Sequence, residues 1–419
     1  MSLHLKKFQT TSQYEQYINS GDAILPNVSL CEDTKGVHYN PVPPQHDYTQ
    51  DYFTMVVTSG GTIKWSGSTT ANRLFYSKDN GENWSGATSA TTISVKPGDK
   101  ILWKGTPTPQ SANRGIGRFS GITYVRYSVE GNAMSLLYGD DFKGQTSLGS
   151  KIYALYGLFG GNTNVTNAEN LKLPATTLTT YCYGNMFGGC TNLTTAPELP
   201  ATTLAQNCYQ IMFQGCTGLT AAPELPATTL AENCYVNMFN GCKSLTVTPE
   251  LPATTLATNC YGSMFSNTNV LPDCTNIDFS SQSVVTSGGL KGLFIGTNIT
   301  DAQLDSILKE HGINNYSLPV TTLTSYCYYS MFSGCTSLMT APELPATTLA
   351  TQCYREMFYG CTSLSSIKCL ATDISASSCT SNWVKNVAAN GTFTKAASMN
   401  DWTEGANGIP SGWSVQDAS

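Results

Sequence analysis

Hydrophobic residues recur along the middle of the chain in a pattern with a fixed spacing of 26 residues. Consecutive units are LPATTLTTYCYGNMFGGCTNLTTAPE, LPATTLAQNCYQIMFQGCTGLTAAPE and LPATTLAENCYVNMFNGCKSLTVTPE. They begin at Leu173, Leu199 and Leu225, and further units begin at Leu251, Leu318 and Leu344. A unit this short cannot bury its own apolar face. Its Leu, Cys-Tyr, Met-Phe and second Cys positions are therefore predicted to point into a core shared with neighbouring units.

Two degenerate units flank the clear copies. Leu158-Phe159 and Leu293-Phe294 stand where the repeat has Met-Phe. Counting them gives about eight units in all.

The local pattern within a unit predicts two kinds of structure. The Thr-rich, Pro-punctuated segment around Glu224 predicts a short extended strand on an open face. The spacing of Cys208, Tyr209, Met212 and Phe213 predicts one or two inward-facing helical turns. A glycine then ends each turn, because glycine readily takes the positive φ of a helix end.

The repeat resembles the BspA-like class of leucine-rich repeats, in which units of the type I-P-x-x-V-x-x-I-x-x-x-A-F-x-x-C-x-x-L coil into an elongated solenoid. The residues that fall on the family pattern, in order, are Leu178, Tyr183, Phe187, Cys190 and Leu193. The resemblance covers roughly residues 140 to 370, with Met-Phe in place of Ala-Phe and an added Cys-Tyr pair. It implies a solenoid that displays a binding surface, typically for adhesion.

Most of the 15 cysteines occupy fixed repeat positions, and three interpretations are open. Buried, reduced thiols in a ladder are preferred, because Cys is small and easily buried. Disulfides between adjacent units are the second, since equivalent Cα atoms would lie about 4.8 Å apart. A metal site is the third, although none of the four histidines lies near a Cys pair with C-x-x-C spacing.

The interruption between residues 266 and 317 contains the one segment with a full helical pattern. Thr300 and Gln303 form a capping box, Gly312 ends the helix, and the apolar stripe consists of Leu304, Ile307 and Leu308. We interpret it as an ordinary unit with a longer helix on its convex side. A dedicated binding insertion is the alternative.

Residues from about 50 to 135 show short alternating runs such as FTMVVTS and GTIKWSG, which predict an antiparallel β-sandwich or barrel. Within them, the motif S-x-D-x-G-x-x-W resembles the Asp-box of sialidases and other propellers. Its residues are Ser77, Asp79, Gly81 and Trp84. The structural interpretation is a hairpin turn held by the Ser and Asp side chains, with the tryptophan packed beneath. A glycan-binding loop and a sialidase are alternatives, but the catalytic positions of a sialidase cannot be assembled here.

The segment LPNVSLCEDTKGVHYNPVPP, from Leu25 to Pro44, resembles a leader at the front of many phage structural proteins from gut Bacteroidetes, including crAss-like phages. In those proteins L-P-N-V-S-x-C followed by V-H-Y-N-P precedes diverse domains. The resemblance implies an attachment segment, which needs no secretory signal because virions assemble in the host cytoplasm. The alternative is an N-terminal edge strand of the β-domain.

Beyond about residue 370 the chain keeps its apolar density but loses the period. A solenoid requires a terminal cap over its last open unit. The predicted plugs are Trp383, Phe393, Trp402 and Trp413. Exposed aromatic platforms for sugars are the alternative.

Charge and hydropathy narrow the choice of partners. Charged residues make up only 12% of the chain, the net charge is -6, and no basic cluster exceeds a pair such as Lys6-Lys7. Nucleic acid is therefore not an expected partner. No window approaches the roughly 20 apolar residues of a membrane span, so membrane insertion is not expected. The first residues do not form a secretory signal, so either release bypasses general secretion or an export signal is missing from this sequence.

Together these patterns predict a mixed β/α chain in four parts. They are a leader over residues 1–48, an all-β sandwich-like domain over 49–135, a leucine-rich-repeat solenoid over 136–370 and a cap over 371–419. No constellation of residues breaks the repeat symmetry as an active site would, so we expect no enzyme, cofactor or metal. The predicted binding surface comprises Glu198, Glu224, Glu250, Glu343, Thr176, Thr202, Thr228 and Thr321.

The expected function is a phage virion appendage, a fibre or a decoration protein. It would contact a host or gut surface protein or glycan through the repeats, and virion proteins through the leader. A homotrimer is compatible with this function, since phage fibres are often trimers. A bacterial cell-surface adhesin of the BspA-like type is the alternative, and a glycan-active enzyme is a distant third. The expected location is the virion, the extracellular space or the cell surface.

Overall fold

The computed structural model is rich in short β-strands with few helices, and none of the sheets formed by its described residues is closed. It describes residues 28–33, 36–41, 46–67, 74–109, 115–122, 124–271, 291–310, 312–313 and 315–419. Part of the predicted leader and residues 272–290 of the interruption lie outside the described residues. Met1–Asp47 and Tyr48–Ser419 form two compact units.

In the first unit, β1 (Val28–Asp33) and β2 (Gly36–Pro41) form an antiparallel hairpin. The register places Val28 opposite Pro41 and Asp33 opposite Gly36. The described residues of the segment that resembles the phage leader therefore pair with each other as a two-stranded sheet.

The second unit begins with a 3-10 helix (Tyr48–Gln50) and two sheets. The larger contains, in spatial order, β11 (Val165–Asn167), β10 (Arg126–Asn132), β3 (Phe53–Ser59), β8 (Lys100–Gly105), β5 (Leu74–Ser77) and β6 (Ser85–Ala87). A further strand, β12 (Leu171–Lys172), also pairs with β10. The smaller sheet contains β7 (Thr92–Val95), β4 (Gly61–Ser66) and β9 (Arg118–Ile122). A short helix (Ser135–Tyr138) and a 3-10 helix (Gly139–Phe142) follow.

Aromatic rings from the two sheets meet in one core. The ring centroid of Phe119 lies 4.7 Å from that of Trp65 and 4.8 Å from that of Trp103. All three side chains are fully buried, and large aromatic rings supply much of the apolar area that a core can bury. Phe159 stacks on Phe119 at 5.6 Å, so the same core continues into the repeats.

All strand pairs among the described residues of the predicted β-domain are antiparallel, as expected. At one edge β10 also pairs in parallel with β11 and β12, which come later in the sequence than that domain. Parallel neighbours need a long crossover connection, and here the crossover is the first, degenerate repeat unit around Phe159. The sheet thus leads directly into the repeats.

Equivalent aromatic rings of successive units stack on one another. Phe187, Phe213 and Phe239 lie 5.7 Å apart between successive centroids, with nearly parallel planes. The degenerate units join this column, since Phe159 stacks on Phe187 at 5.2 Å and Phe294 stacks on the ring of the following unit at 5.6 Å. A parallel column of buried rings consists of Tyr183, Tyr209, Tyr235 and Tyr261. The inward assignment of these positions is confirmed.

The segment from Cys182 to Cys190 is a series of tight turns, and the predicted helical turns were wrong. In this segment the backbone N–H groups of even-numbered residues donate hydrogen bonds within the same unit. For example, Met186 N–H donates to the carbonyl of Tyr183 at 3.2 Å. The backbone N–H groups of odd-numbered residues donate instead to carbonyls of the next unit, as Phe187 N–H does to Met212 O at 2.9 Å. An α-helix would use its donors internally. Here every second donor holds two units together.

This alternation needs a left-handed backbone at every fourth residue of the turns. Asn207, Ile211 and Gly215 have φ values of 56°, 52° and 70°. Gly and Asn adopt this conformation at little cost, whereas a β-branched residue does so rarely. Ile211 is held there by bonds on both sides, since its N–H donates to Val236 O at 2.8 Å and its carbonyl accepts from Gln214 N–H at 3.2 Å.

The predicted extended strands are reduced in many units to single parallel bridges. Examples join Asn167 to Thr195 and Thr203 to Thr229. Proline lacks the N–H that a strand ladder needs, and each extended segment of the type PELP contains two prolines. Most of the single bridges among the described residues therefore lie beside these segments, although Glu343 and Leu344 form bridges within one of them.

Strands of four residues begin at the end of the last clear unit and continue beyond it. There β13 (Ser366–Cys369), β14 (Thr392–Lys395) and β15 (Ser414–Asp417) form a parallel sheet. Three of the predicted plugs, Trp383, Phe393 and Trp413, are buried, and Trp402 is half-buried against Trp383 with ring centroids 5.5 Å apart. Trp383 also stacks on Tyr354 at 6.3 Å. The rings cover the end of the aromatic column and do not form open platforms.

The helix in the interruption spans Asp301–Glu310. Thr300 N–H donates to Gln303 Oε1 at 3.0 Å, and Gln303 N–H donates to Thr300 Oγ1 at 3.3 Å. These bonds confirm the predicted capping box. Leu304 and Leu308 are buried, as the apolar stripe predicts.

The repeat cysteines form buried columns beside the rings. The thiols of Cys190 and Cys216 donate to the carbonyls of Phe159 and Phe187, in the preceding units, at 3.2 and 3.1 Å. Burial raises the pKa of the Cys182 and Cys190 thiols to about 12. A buried thiol of this kind stays protonated at neutral pH and is a poor nucleophile.

Replacing Phe213 by alanine tests the aromatic column. Because its ring is fully buried between two neighbouring rings, Phe213→Ala should lower the free energy of unfolding by ~3–5 kcal/mol. Chemical denaturation monitored by circular dichroism measures this change. The exposed Thr202→Ala variant is the control and should unfold as the wild type does. An unchanged midpoint for Phe213→Ala would contradict the burial of this ring.

The cysteine columns predict free but slowly reacting thiols. Mass spectrometry of native protein should find Cys182, Cys190, Cys208, Cys216, Cys234 and Cys242 unbridged, as their carbonyl contacts and burial imply. Iodoacetamide at pH 8 should label them in guanidinium chloride but hardly at all in the folded protein, because burial raises their pKa values. Extensive bridging among them would contradict both the burial and assembly in a reducing cytoplasm.

Candidate binding surfaces

The segment from Pro197 to Thr202 is extended, and its side chains alternate between core and solvent. Leu199 is buried, whereas Glu198, Pro200 and Thr202 are exposed. Alternate residues of an extended chain share a face. Glutamate, proline and threonine therefore form one exposed row, and we call this row and its equivalents in other units the Glu-Pro-Thr stripe.

All the residues predicted for binding lie on this stripe. The exposed ones are Glu198, Glu224, Glu250, Thr176, Thr202, Thr228 and Thr321. Glu343 differs, because it is half-buried.

Lysines neutralise the carboxylates towards both ends of the stripe. Lys172 Nζ lies 3.1 Å from Glu198 Oε2, and Lys368 Nζ lies 2.9 Å from Glu343 Oε2. Each lysine stands near the place that a glutamate has in the neighbouring unit. Exposed pairs of this kind contribute at most about 1 kcal/mol each, so their main effect is on the charge of the surface. The stripe is acidic around Glu224 and close to neutral at its ends.

A groove with a volume of about 520 Å³ lies between the parts of the stripe that belong to two adjacent units. Its walls include Pro197, Pro200 and Pro226, and Glu198 and Glu224 lie along it. Apolar walls with a few polar groups are the usual composition of a small-ligand site. The groove brings two of the predicted binding residues, Glu198 and Glu224, to one cavity.

The Asp-box motif forms the turn between β5 and β6. Ser77 Oγ accepts hydrogen bonds from the N–H groups of Asp79 at 3.3 Å and Gly81 at 2.9 Å. Gly81 has a φ of 93°, and its carbonyl accepts the indole N–H of Trp84 at 3.0 Å. Bonds donated by the Ser77 hydroxyl and by Asn83 lower the pKa of Asp79 to about 2. The motif thus fixes the hairpin turn through its own side chains.

Trp84 belongs to a small cluster with Lys104, Asp140 and Tyr52, and this cluster helps to decide whether the Asp-box turn could be a glycan-binding loop. Lys104 Nζ lies 4.2 Å from a ring centroid of Trp84 and 2.8 Å from Asp140 Oδ1. The hydroxyl of Tyr52 donates to the same carboxylate, and burial together with Asp140 raises the pKa of Tyr52 to about 12. The lysine covers the ring on which a sugar would stack, so the cluster favours a structural role.

The sequence analysis overlooked a second surface, formed by the turns that follow each Cys-Tyr pair. The residue after the pair differs between units, as Gly184, Gln210, Val236, Tyr329 and Arg355 show. This position is buried in Gly184 and Val236 but partly exposed in Gln210, Tyr329 and Arg355. The change to long polar residues at one position of an otherwise constant repeat is the signal that could have identified this surface.

Among the described residues there is no group of three or more His, Cys, Asp and Glu side chains that could hold a metal ion. The same residues include no helix with the length and apolar character needed to cross a membrane. Comparison with protein families, with curated proteins and with solved structures finds no match.

The pKa of Asp79 predicts a pH-dependent contribution to stability. Its carboxylate stabilises the turn at pH values above its unfolded pKa of about 4. That contribution is lost as the pH falls through the folded pKa of about 2. Asp79→Asn should therefore melt below the wild type at pH 7, and the difference between them should shrink as the pH falls from about 4 towards about 2.

Differential scanning fluorimetry across this pH range measures the difference. Glu82→Gln removes an exposed carboxylate from the same turn and serves as the control. A constant gap between wild type and Asp79→Asn at all pH values would show that the charge of Asp79 does not support the turn.

Proposed function

We propose that residues 136–370 form a leucine-rich-repeat solenoid of the BspA-like type. The spacing of 26 residues supports this fold. So do the aromatic columns and the backbone hydrogen bonds that join each turn segment to the next unit. The tight turns differ from the helical turns expected, but they keep the defining property of a solenoid, in which each unit depends on its neighbours.

On this fold, the proposed function is that of a non-catalytic binding protein. The observation that carries it is the Glu-Pro-Thr stripe, which presents the same exposed side chains from successive units on a backbone held by bonds between units. A rigid, repeated surface suits recognition of an extended or repeating partner, such as a surface protein or a polysaccharide.

The buried cysteines also favour binding over catalysis. Thiols are intrinsically the strongest nucleophiles among the side chains of the repeats, yet burial holds the pKa values of Cys182 and Cys190 at about 12. A catalytic thiol needs the opposite, a lowered pKa and access to substrate. A glycan-active enzyme therefore stays a distant third candidate.

The leader supports a virion appendage, either a fibre or a decoration protein. Its described part forms a hairpin of its own, and Met1–Asp47 is a compact unit distinct from Tyr48–Ser419. A segment organised in this way is suited to dock on virion proteins while the repeats face the host or gut surface. The alternative, a bacterial adhesin, would place the chain on the cell surface. A homotrimer remains part of the proposal.

Deleting residues 1–47 tests the attachment role. Since Tyr48–Ser419 is a compact unit, the shortened protein should keep the circular dichroism and melting temperature of the full chain. Phage particles that carry the deletion should lose the protein, as immunoblots of purified particles would show. Particles carrying Thr202→Ala in the full-length chain are the matched control and should keep it.

Two outcomes would count against the proposal. If the shortened protein fails to fold, the leader is an integral part of the second unit, and the argument for a virion loses its main support. If the full-length protein is found in the bacterial surface fraction instead of in particles, the adhesin alternative is favoured.

A further inference from the structure

Cations and tyrosines from four neighbouring units lie together on the overlooked turn surface. We call this surface the cationic turn face, and its residues are Lys291, Tyr326, Tyr329, Arg355, Tyr359 and Lys385. The backbone keeps the units adjacent, since Gly292 N–H donates to Tyr329 O at 3.0 Å and Gly360 N–H donates to Lys385 O at 2.8 Å. The residues therefore form one continuous surface.

Two cations share one aromatic ring at the centre of this face. Lys291 Nζ lies 4.6 Å from the ring centroid of Tyr329, and Arg355 Cζ lies 5.5 Å from it. Burial lowers the pKa of Lys291, and the charge of Arg355 lowers it further. Two like charges that contact the same ring repel each other, so an anion that contacts both cations would reduce this repulsion.

The carboxylates nearby do not balance these charges. Glu356 is the acidic group in contact, with its Oε1 3.4 Å from Arg355 Nε. It also accepts a hydrogen bond from the hydroxyl of Tyr329 at 3.4 Å. Among the described residues, this carboxylate stands against the cations of Lys291, Arg355 and Lys385, so the described part of the face carries a net positive charge although the whole chain carries -6.

Tyrosines flank the cations and remain open to solvent. Tyr326 is 43% exposed and Tyr359 is 37% exposed, which places both among the exposed large hydrophobic side chains of the described residues. Gln352 fixes one of them, since its Nε2 donates to the Tyr326 hydroxyl at 3.1 Å while its Oε1 accepts from Arg355 at 2.9 Å. Exposed, positioned aromatic rings can pack against the apolar faces of sugar rings, and the neighbouring amide and guanidinium can bond their hydroxyl or acidic groups.

We propose that the cationic turn face binds an anionic polysaccharide, one whose sugar rings carry carboxylate or sulfate groups. This inference rests on the proposed binding function and names its ligand class and its surface. The acid groups would contact Lys291, Arg355 and Lys385, and sugar rings would pack on Tyr326 and Tyr359. The spread of the face over several units matches a chain of linked sugars. A nucleic acid is also a polyanion, so net charge does not distinguish it from an acidic polysaccharide, and single-stranded DNA is therefore compared directly in the binding experiment.

Binding to defined polysaccharides tests the proposal. Full-length protein should bind immobilised polygalacturonate or dextran sulfate, but not unsulfated dextran, at an ionic strength of about 0.15 M, where distant charges are screened. The triple variant Lys291→Gln, Arg355→Gln, Lys385→Gln should bind about tenfold more weakly or worse, because charge-assisted hydrogen bonds are lost. The matched control Lys78→Gln, Lys96→Gln, Lys243→Gln removes three exposed lysines elsewhere and should bind as the wild type does.

A further variant separates sugar recognition from charge alone. Tyr326→Ala with Tyr359→Ala keeps all the cations and should weaken polysaccharide binding while leaving the melting temperature nearly unchanged. The single variant Lys385→Glu changes an exposed residue, so it tests the proposal even if the triple variant unfolds. It should also weaken binding to the acidic polysaccharides.

Several results would overturn the proposal. They are no binding of either acidic polysaccharide by the wild type, equal loss in the lysine control, or equally tight binding of single-stranded DNA. Binding of whole host cells by wild type and triple variant is measured in parallel. If the triple variant keeps cell binding, the ligand surface is assigned wrongly while the binding function stands. If the wild type itself fails to bind cells, the proposed function fails.

Discussion

Every second backbone donor in the turn segments is satisfied by the next unit, and this sharing governs the rest of the structure. Phe187 N–H and its equivalents point across the boundary between units, so no unit is complete alone. Unpaired donors would be costly once buried. The same boundary is packed by aromatic columns and by thiols that reach the carbonyl of the preceding phenylalanine. Hydrogen bonding and packing therefore act on the same contact, which explains why so few positions of the repeat vary.

A stack built in this way needs a defined start and end. At the start, β10 accepts β11 and β12 as parallel neighbours, and Phe119 continues the ring contacts into Phe159. At the end, Trp383 covers Tyr354 and bonds the carbonyl of Gly408 at 2.8 Å. Both ends use large aromatic rings, because only a broad apolar side chain can cover the full width of the last column.

What the sequence predicted well followed from side-chain character, and what it missed followed from backbone geometry. The burial of Phe213 and the capping box at Thr300 depend on which side chains are present, and both are confirmed. The helical turns were wrong because pairs of apolar residues four positions apart suit both an α-helix and these four-residue turns. The positive φ of Asn207 decides between the two, and spacing alone does not reveal it. The cationic turn face was missed because Lys291 and Arg355 come from different units and meet only at Tyr329.

Each unit makes nearly identical contacts with the unit before it and the unit after it. This identity affects how the number of units can change during evolution. If recombination removed or duplicated 26 residues in frame, Phe213 would simply meet a different but equivalent ring. The junction would keep its hydrogen bonds, its ring stacking and its thiol contacts. Length is thus a property that this architecture leaves open to selection, and the reach of the molecule can be adjusted without redesigning its interior.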